Sequence, residues 1–219
     1  MATAHTTLTA DSEAKVTLLD RFKANQRLLI GVIAAIGLIA LSTWFVIESG
    51  KRRELAASSL LESAWSAQDQ GNLPQASSDF QRVVDTYGGT DAAKQASLAL
   101  NQVRIESGQS QLAHDDIQSF LGQNPGPDFA AAANQLLGVA LENLNRPADA
   151  ALAYQRAAEL ATADHVAAEA LLAGARALRA AGDNDAAAQL LRDLLAKYPE
   201  TLVATEAKVR LGELTKGSM

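Results

Sequence analysis

The chain has 219 residues, 48% of them apolar and 20% charged, with no cysteine; this is enough to bury a sizeable core in one or two domains and excludes a disulfide framework, thiolate zinc sites and a cysteine nucleophile. Aromatic residues make up 5% while alanine and leucine dominate, which favours helices and offers little for a β-sandwich or for stacking nucleic-acid bases. Charge is uneven: residues 1–53 carry seven Lys or Arg against four Asp or Glu and residues 54–219 twelve against twenty-one, so +3 precedes −9, and an acidic domain of that size repels phosphate backbones and excludes nucleic acid as a partner.

Residues 1–27 begin the chain as a polar tail, rich in Thr and Ala over the first twenty, with no amphipathic period that demands a fold. From Leu28 to Ile47 the chain reads LLIGVIAAIGLIALSTWFVI, twenty residues without a charge. As a helix rising about 1.5 Å per residue this run spans roughly 30 Å, the thickness of a bilayer's hydrocarbon core. Twelve of its residues are Leu, Ile, Val or Phe, and each favours insertion by about 0.3 to 0.6 kcal/mol near the bilayer centre. Ser42 and Thr43 can bond back to carbonyls of the preceding turn, and Trp44 and Phe45 fall at the distal interface, where an indole lies well.

The competing reading is a cleaved signal peptide, with Ala40, Leu41 and Ser42 as a small-x-small site. The 27-residue tail before the run and the apolar character continuing through Ile47 fit an uncleaved anchor better. Lys15, Arg21, Lys23 and Arg27 on the amino side against Lys51, Arg52 and Arg53 on the carboxyl side tilt the orientation towards a cytoplasmic amino terminus. Gly31 and Ala35 form a small-xxx-small pair suited to contact with another transmembrane helix, with chance occurrence in an Ala- and Gly-rich span as the alternative. Residues 48–55 are expected to link this span to a repeat domain over 56–219, with the basic residues among lipid headgroups.

Self-comparison then shows a period of 37. Gly71, Gly108, Asn145 and Gly182 stand 37 apart, and five residues after each comes Ala76, Ala113, Ala150 or Ala187. Four further on are Phe80, Ile117, Tyr154 and Leu191, and three beyond those Val83, Phe120, Ala157 and Leu194. Offsets of 0, 4 and 7 mark one helical face, and Gly or Asn can adopt the left-handed conformation that closes a helix. Each unit is therefore expected to be a helical hairpin that turns at the Gly/Asn site. Its second helix lies close through the alanine and fills the space between neighbouring hairpins with the larger residues. Pro74 and Pro147 are expected to open second helices, and Pro125, Pro127 and Pro199 to lie in connections.

These residues resemble the tetratricopeptide repeat, whose pattern sets Gly, Ala, an aromatic, a small residue and Pro at the offsets seen here, with Pro125 and Pro199 at the last of them. The spacing of 37 departs from the family's usual period of about 34. The small residue expected seven before each turn is Ala64, Gly138 and Ala175, but Asn101 in the second unit. The resemblance implies an all-α fold: one transmembrane helix, a right-handed superhelical array of about four hairpins over residues 56 to about 200, and a capping helix at 201–215. It also implies a partner groove lined by the first helices, with Trp65, Gln102, Val139 and Arg176 at one level and Gln68, Ile105, Glu142 and Arg179 at another. Trp65 has a competing reading as core packing against Leu61 and the second helix. The family's clamp for chaperone tails needs polar or basic residues where this chain has Glu62, Ala99, Leu136 and Ala173, so that clamp is not expected.

The whole layout, with Arg21, Phe22 and Asn25 ahead of a single anchor and an acidic repeat domain after it, resembles the bacterial YfgM-like family over roughly residues 21 to 216. That resemblance implies an inner-membrane protein with a periplasmic repeat domain, associated with the Sec translocon and periplasmic chaperones. The alternative partner is a respiratory or photosynthetic membrane complex to which the chain adds a structural subunit, and a homo-oligomer is a third arrangement.

Catalytic groups are thin. His5, His114 and His165 are far apart in sequence, and no His-x-x-x-His pair exists to hold zinc. Asp115 and Asp116 are adjacent, so their side chains diverge by about 100° on a helix. Gly182-Asp183-Asn184-Asp185 starts like a calcium loop but lacks its glycine and distal glutamate. Gly88-Gly89 has no Lys-Ser/Thr to make a phosphate loop. No enzyme, cofactor or metal is expected; a site assembled in the groove is the rival from another class.

Overall fold

The computed structural model describes residues 26–216; the tail with His5, Lys15, Arg21, Phe22, Lys23 and Asn25 lies outside the described residues. Nine helices and no strand occur among them: α1 Gln26–Asp69, α2 Leu73–Tyr87, α3 Asp91–Glu106, α4 Ser110–Gly122, α5 Pro127–Asn143, α6 Pro147–Leu160, α7 Asp164–Ala180, α8 Asn184–Lys197 and α9 Val203–Lys216. The chain divides into two compact units, Met1–Arg52 and Arg53–Met219.

In the first unit, the large apolar side chains from Ile30 to Ile47 are all more than half exposed, so this run is not the core helix of a folded domain. Ser42 Oγ donates to the Leu38 and Ile39 carbonyls and Thr43 Oγ1 to the Ile39 carbonyl, at 2.8–2.9 Å, so both hydroxyls are satisfied inside the helix. A side chain added at Gly31 meets nothing within 4 Å. Residues 48–55, expected as a linker, are helical, and Arg52 pairs with Glu48 one turn back.

In the second unit the period of 37 is visible in the backbone. First helices end at Asp69, Glu106, Asn143 and Ala180, and second helices begin at Leu73, Ser110, Pro147 and Asn184. Between them Gly71, Gly108, Asn145 and Gly182 have φ of +74°, +77°, +57° and +86°, the left-handed region that glycine enters without penalty and asparagine tolerates. The turn is the same each time. In the first hairpin Gly71 N–H donates to the Gln68 carbonyl and Asn72 N–H to the Ala67 carbonyl, and in the fourth Gly182 and Asp183 repeat this with Arg179 and Leu178, all at 2.8–3.0 Å. This double return pairs the orphan carbonyls at the end of a helix.

Ala76, Ala113, Ala150 and Ala187 are fully buried, and Phe80, Ile117, Tyr154 and Leu191 are at most 3% exposed. Side chains from successive hairpins share each cluster: Leu61, Phe80, Val83, Leu100 and Val103 join α1, α2 and α3, Ile117, Phe120, Leu137 and Tyr154 join α4, α5 and α6, and Leu172, Leu191, Leu194 and Ala207 join α7, α8 and α9. No hairpin covers its own apolar face, so the hairpins stack into a superhelical array. Within this second unit Glu54 ties α1 to α3: its carboxylate accepts from the backbone N–H groups of Asp91 and Ala92 at 2.9 and 2.8 Å, where the positive end of α3 favours an anion.

Three expectations change. Pro127 is the first residue of α5 rather than part of a connection; its missing N–H is one the first turn leaves unpaired in any case. The capping helix runs Val203–Lys216 instead of 201–215, because Thr201 turns its hydroxyl back onto the Tyr198 carbonyl at 2.8 Å and holds a turn there. Asn101, the one misfit in the small-residue series, is 1% exposed but satisfied: Nδ2 donates to the Ser97 carbonyl at 2.9 Å and Oδ1 accepts from Arg104 at 3.4 Å. Arg104 also pairs with Asp116 on α4 and donates to Gln81 on α2 at 3.1 Å, so three helices meet at one guanidinium.

Candidate functional site

A cavity of about 880 Å³ opens along the first helices. Because equivalent positions recur every 37 residues on helices stacked in register, each first helix offers it the same face. Trp65 of α1, Gln102 and Ile105 of α3, Val139 of α5 and Arg176 of α7 line it, joined by Leu98, Ala99 and Glu106, by Gln135 and Leu136, by Glu169, Leu172 and Ala173, and by Val203 and Glu206 of α9. Among these residues only Tyr154 comes from a second helix. The floor is mostly apolar.

Five of the eight expected groove residues therefore meet in one cavity. Trp65 is 37% exposed and its indole stands edge-on to Phe80, with ring centroids 5.0 Å apart and planes at 76°. It is a packed side chain that still presents a face, so the two readings of Trp65 describe one residue. Val139 is also 37% exposed, whereas Ile105 is 9% exposed and mainly a core residue.

Gln68, Glu142 and Arg179 are not among the lining residues. Each lies three residues beyond Trp65, Val139 or Arg176, in the last turn of its helix, whereas Ile105, three beyond Gln102, still reaches the cavity. Gln68 Oε1 is buried with no hydrogen-bond partner. Glu142 accepts from the Tyr154 hydroxyl at 2.8 Å. Arg179 reaches Glu213 of α9 at 3.6 Å and borders a separate small crevice with Leu191, Arg210 and Leu214.

The residues the sequence reading missed lie on the same 37-residue ladder one to two turns further from the hairpin tip. Gln95, Ala132, Glu169 and Glu206 are one rung, and Leu98, Gln135 and Leu172 another. Extending the arithmetic back along each helix finds them. Val203 and Glu206 belong to it because α9 stands where a fifth first helix would, so the capping helix is also a groove wall. Ala99, Leu136 and Ala173, the positions of the absent clamp, form part of the apolar floor.

Burial, and then the hydrogen bond to Glu142, push the Tyr154 hydroxyl well above the usual phenol range, with Arg176 opposing the shift. Tyr154 is therefore a neutral donor to Glu142. Arg176 is exposed and, among the described residues, has no carboxylate within ion-pair distance. Glu106 accepts from Gln102 at 3.0 Å, Glu206 pairs with Arg210 at 3.1 Å, and Glu169 makes no ion pair among the described residues.

The other polar candidates are occupied by structure. His114 Nδ1 lies 2.8 Å from Asp115 Oδ1, and hydrogen bonds from His114 and Gln111 hold the Asp115 carboxyl below its usual range. Asp183 accepts from the Ala186 N–H at 3.0 Å as the cap of α8, which accounts for the run that starts like a calcium loop. Among the described residues no group of three or more His, Asp or Glu converges as a metal site.

Three sequence families match the chain. A tetratricopeptide repeat-like domain matches residues 22–127, and two tetratricopeptide repeat models match residues 98–165 and 169–201. No functionally curated protein matches. Among solved structures, a tetratricopeptide repeat protein from Parabacteroides merdae is similar with a TM-score of 0.58 at 15% identity, over 74% of this chain and 60% of that one. MamA protein is similar with a TM-score of 0.55 at 19% identity, over 73% of this chain and 86% of that one. The chain thus spans less than two thirds of the Parabacteroides protein, and at these identities the likeness concerns the fold. Repeat models over most of its length, and hairpins that turn at four evenly spaced left-handed residues, make this chain a tetratricopeptide-repeat protein.

Proposed function

We propose that the chain is a non-enzymatic, single-pass membrane-anchored scaffold whose groove docks another protein, as an accessory subunit of a larger inner-membrane assembly. The observation that carries this reading is the mostly apolar cavity of about 880 Å³ spread across four first helices and the cap. A small-molecule site of that size gathers a few polar groups at one point. Here Gln95, Gln102, Gln135, Glu169, Arg176 and Glu206 are distributed along the groove, which suits a polypeptide better than a compact ligand. Exposed Trp65 at one end is the kind of aromatic anchor that dominates binding energy.

The anchor rests on residues 28–47. An 18-residue window within this helix is apolar and long enough to cross a membrane, and none of it is buried. The matched repeat-like domain begins at residue 22, so its sequence model takes in the apolar run together with the first repeats, which supports one retained unit over a cleaved leader. Anchoring confines the groove to a few nanometres from the bilayer and raises the effective concentration of any membrane-associated partner. With the amino terminus cytoplasmic, the repeat domain is periplasmic. The resemblance to the YfgM-like family makes the translocon and its chaperones the first partners to test.

The test is gentle detergent extraction of the full-length chain from its native membranes and identification of what remains bound. The expected result is recovery in the membrane fraction with a partner that Val139→Asp releases. Recovery from the aqueous fraction without the first fifty or so residues contradicts the anchor, and a complex unaffected by Val139→Asp contradicts the groove.

A further inference from the structure

The last helix of the array repeats the first helices without their cover. Gly212 stands 37 residues after Ala175, itself 37 after Gly138, and Thr205, Lys208 and Val209 keep the same register with Ala168, Leu171 and Leu172. In the earlier hairpins these positions are mostly closed. Ala57, Ala131 and Ala168 are at most 3% exposed and Leu61 and Leu172 at most 5%. The slot over Gly138 is filled by the ring of Tyr154 from the hairpin's own second helix, 2.5 Å from where a Cβ would stand. On α9 the same positions are open. Thr205 and Lys208 are exposed, Val209 is 59% exposed and Leu202 98%, and a Cβ added at Gly212 meets nothing within 4 Å. Thr205, Val209 and Gly212 follow at intervals of four and three on one helical face, with Leu202 immediately ahead of the helix. None of the four lines the groove.

A terminal helix in a repeat array ordinarily turns a polar face outwards, because a single repeat cannot bury its own apolar side. The inner side of α9 is packed: Ala207 is buried in one cluster with Leu172, Leu191 and Leu194, and Val203, Leu211 and Leu214 pack against it. The open stripe continues this cluster outwards, and the array itself shows the element that completes it. That element is a helix lying against α9 as α6 lies against α5, with a bulky side chain over Gly212 where Tyr154 sits over Gly138. Charge restricts it further. Glu206 and Glu213 of α9 are paired with Arg210 and Arg179, whereas Lys208, one turn before Gly212, makes no ion pair among the described residues. We propose that the stripe of Leu202, Thr205, Val209 and Gly212 docks an amphipathic helix of another protein, which adds the equivalent of a second helix to the end of the array, with a bulky apolar residue over Gly212 and an Asp or Glu opposite Lys208. This interface lies outside the groove and goes beyond the docking reading above.

The test places a photo-crosslinking residue at Val209 of the full-length chain in its native membranes and locates the adduct by mass spectrometry. The expected result is a discrete adduct to a segment of another protein whose apolar residues recur at helical spacing. Trp65→Ala should leave this adduct in place, and Gly212→Gln, which fills the slot, should reduce it at least about fivefold. Glutamine forms helix better than glycine and its Cβ meets nothing at this position, so the thermal midpoint of Gly212→Gln should not fall, and loss of the adduct then reports the slot rather than unfolding. A synthetic peptide of the captured segment, titrated onto the full-length chain in nanodiscs of neutral lipid and read by anisotropy, should gain helicity on binding. It should bind at least about tenfold more tightly than a copy with proline at its centre, and Lys208→Glu should weaken it more than Lys208→Gln. No adduct, an adduct within one chain or between two copies, an adduct indifferent to Gly212→Gln, or equal binding of the proline copy overturns the proposal. If Trp65→Ala removes the adduct, Val209 reports the partner of the groove, so this inference falls while the docking reading stands.

Discussion

Gly138 lies directly against the ring of Tyr154: a Cβ on Gly138 would stand 2.5 Å from Cε1 and 2.6 Å from Cζ. The ring cannot move aside easily, since Tyr154 is 3% exposed and its hydroxyl is held by Glu142 at 2.8 Å. Gly138→Ala is expected to destabilise the repeat domain by about 1–3 kcal/mol, the usual range for overpacking a filled core. Urea unfolding followed by circular dichroism measures it. Gly138→Ala combined with Tyr154→Leu should recover part of the loss, since the leucine removes the ring the new methyl meets.

Tyr154 also gives the domain a pH dependence. Burial and the hydrogen bond to Glu142 raise the pKa of the folded phenol above its unfolded value. Between those two values the unfolded chain releases this proton and the folded chain keeps it, so stability is fully present below about pH 10 and falls as pH rises above it. Tyr154→Phe should flatten that part of the curve. The comparison is between unfolding midpoints of the two proteins from pH 9 to 11.5, and parallel curves contradict the assignment.

The turn residues separate by chemistry. Gly182 at φ +86° has open space around its missing Cβ, so Gly182→Ala meets only the backbone cost of a left-handed alanine, about 1 kcal/mol or slightly more. Asn145 already accepts that conformation at φ +57°, and Asn145→Gly should stay within about 0.5 kcal/mol of the parent or stabilise it. Thermal melts of both variants check the order, which reverses if the turns are not what end the first helices.

Arg104 bridges Gln81, Asn101 and Asp116 from three helices, and its side chain is 13% exposed. Arg104→Met keeps much of the stem and removes the charge. It should cost about 1–2 kcal/mol, at the low end for charged hydrogen bonds because Asp116 is 41% exposed and screened by water. A double-mutant cycle with Asp116→Asn should show coupling that shrinks in high salt.

Much of this was legible in the sequence for a physical reason. Hairpin turns need left-handed residues, close helix contacts need alanine and shared cores need large apolar residues, so Gly71, Ala76 and Phe80 and their equivalents carry the register openly. The groove was less legible, because an exposed lining obeys no packing rule. Trp65, Gln102, Ile105, Val139 and Arg176 followed from the resemblance to the repeat, but at the level nearest the turn only Ile105 lines the cavity, while Glu142 is held by Tyr154 and Arg179 by Glu213. Leu98 and Gln135 required the ladder to be read towards the other end of each helix. Asn101 broke the small-residue rule because Arg104 and the Ser97 carbonyl satisfy its amide, a compensation that lies partly in the next helical turn and was not apparent from the pattern.

The measurement that tests the central claim most directly is site-specific photo-crosslinking of the full-length chain in its native membranes. A probe at Val139 in the groove is compared with one at exposed Gln189 on α8. The account predicts a discrete adduct with another protein from Val139, none from Gln189, and loss of the adduct on Trp65→Ala. Adducts from Gln189 alone, or equal adducts from both positions that survive Trp65→Ala, would contradict it.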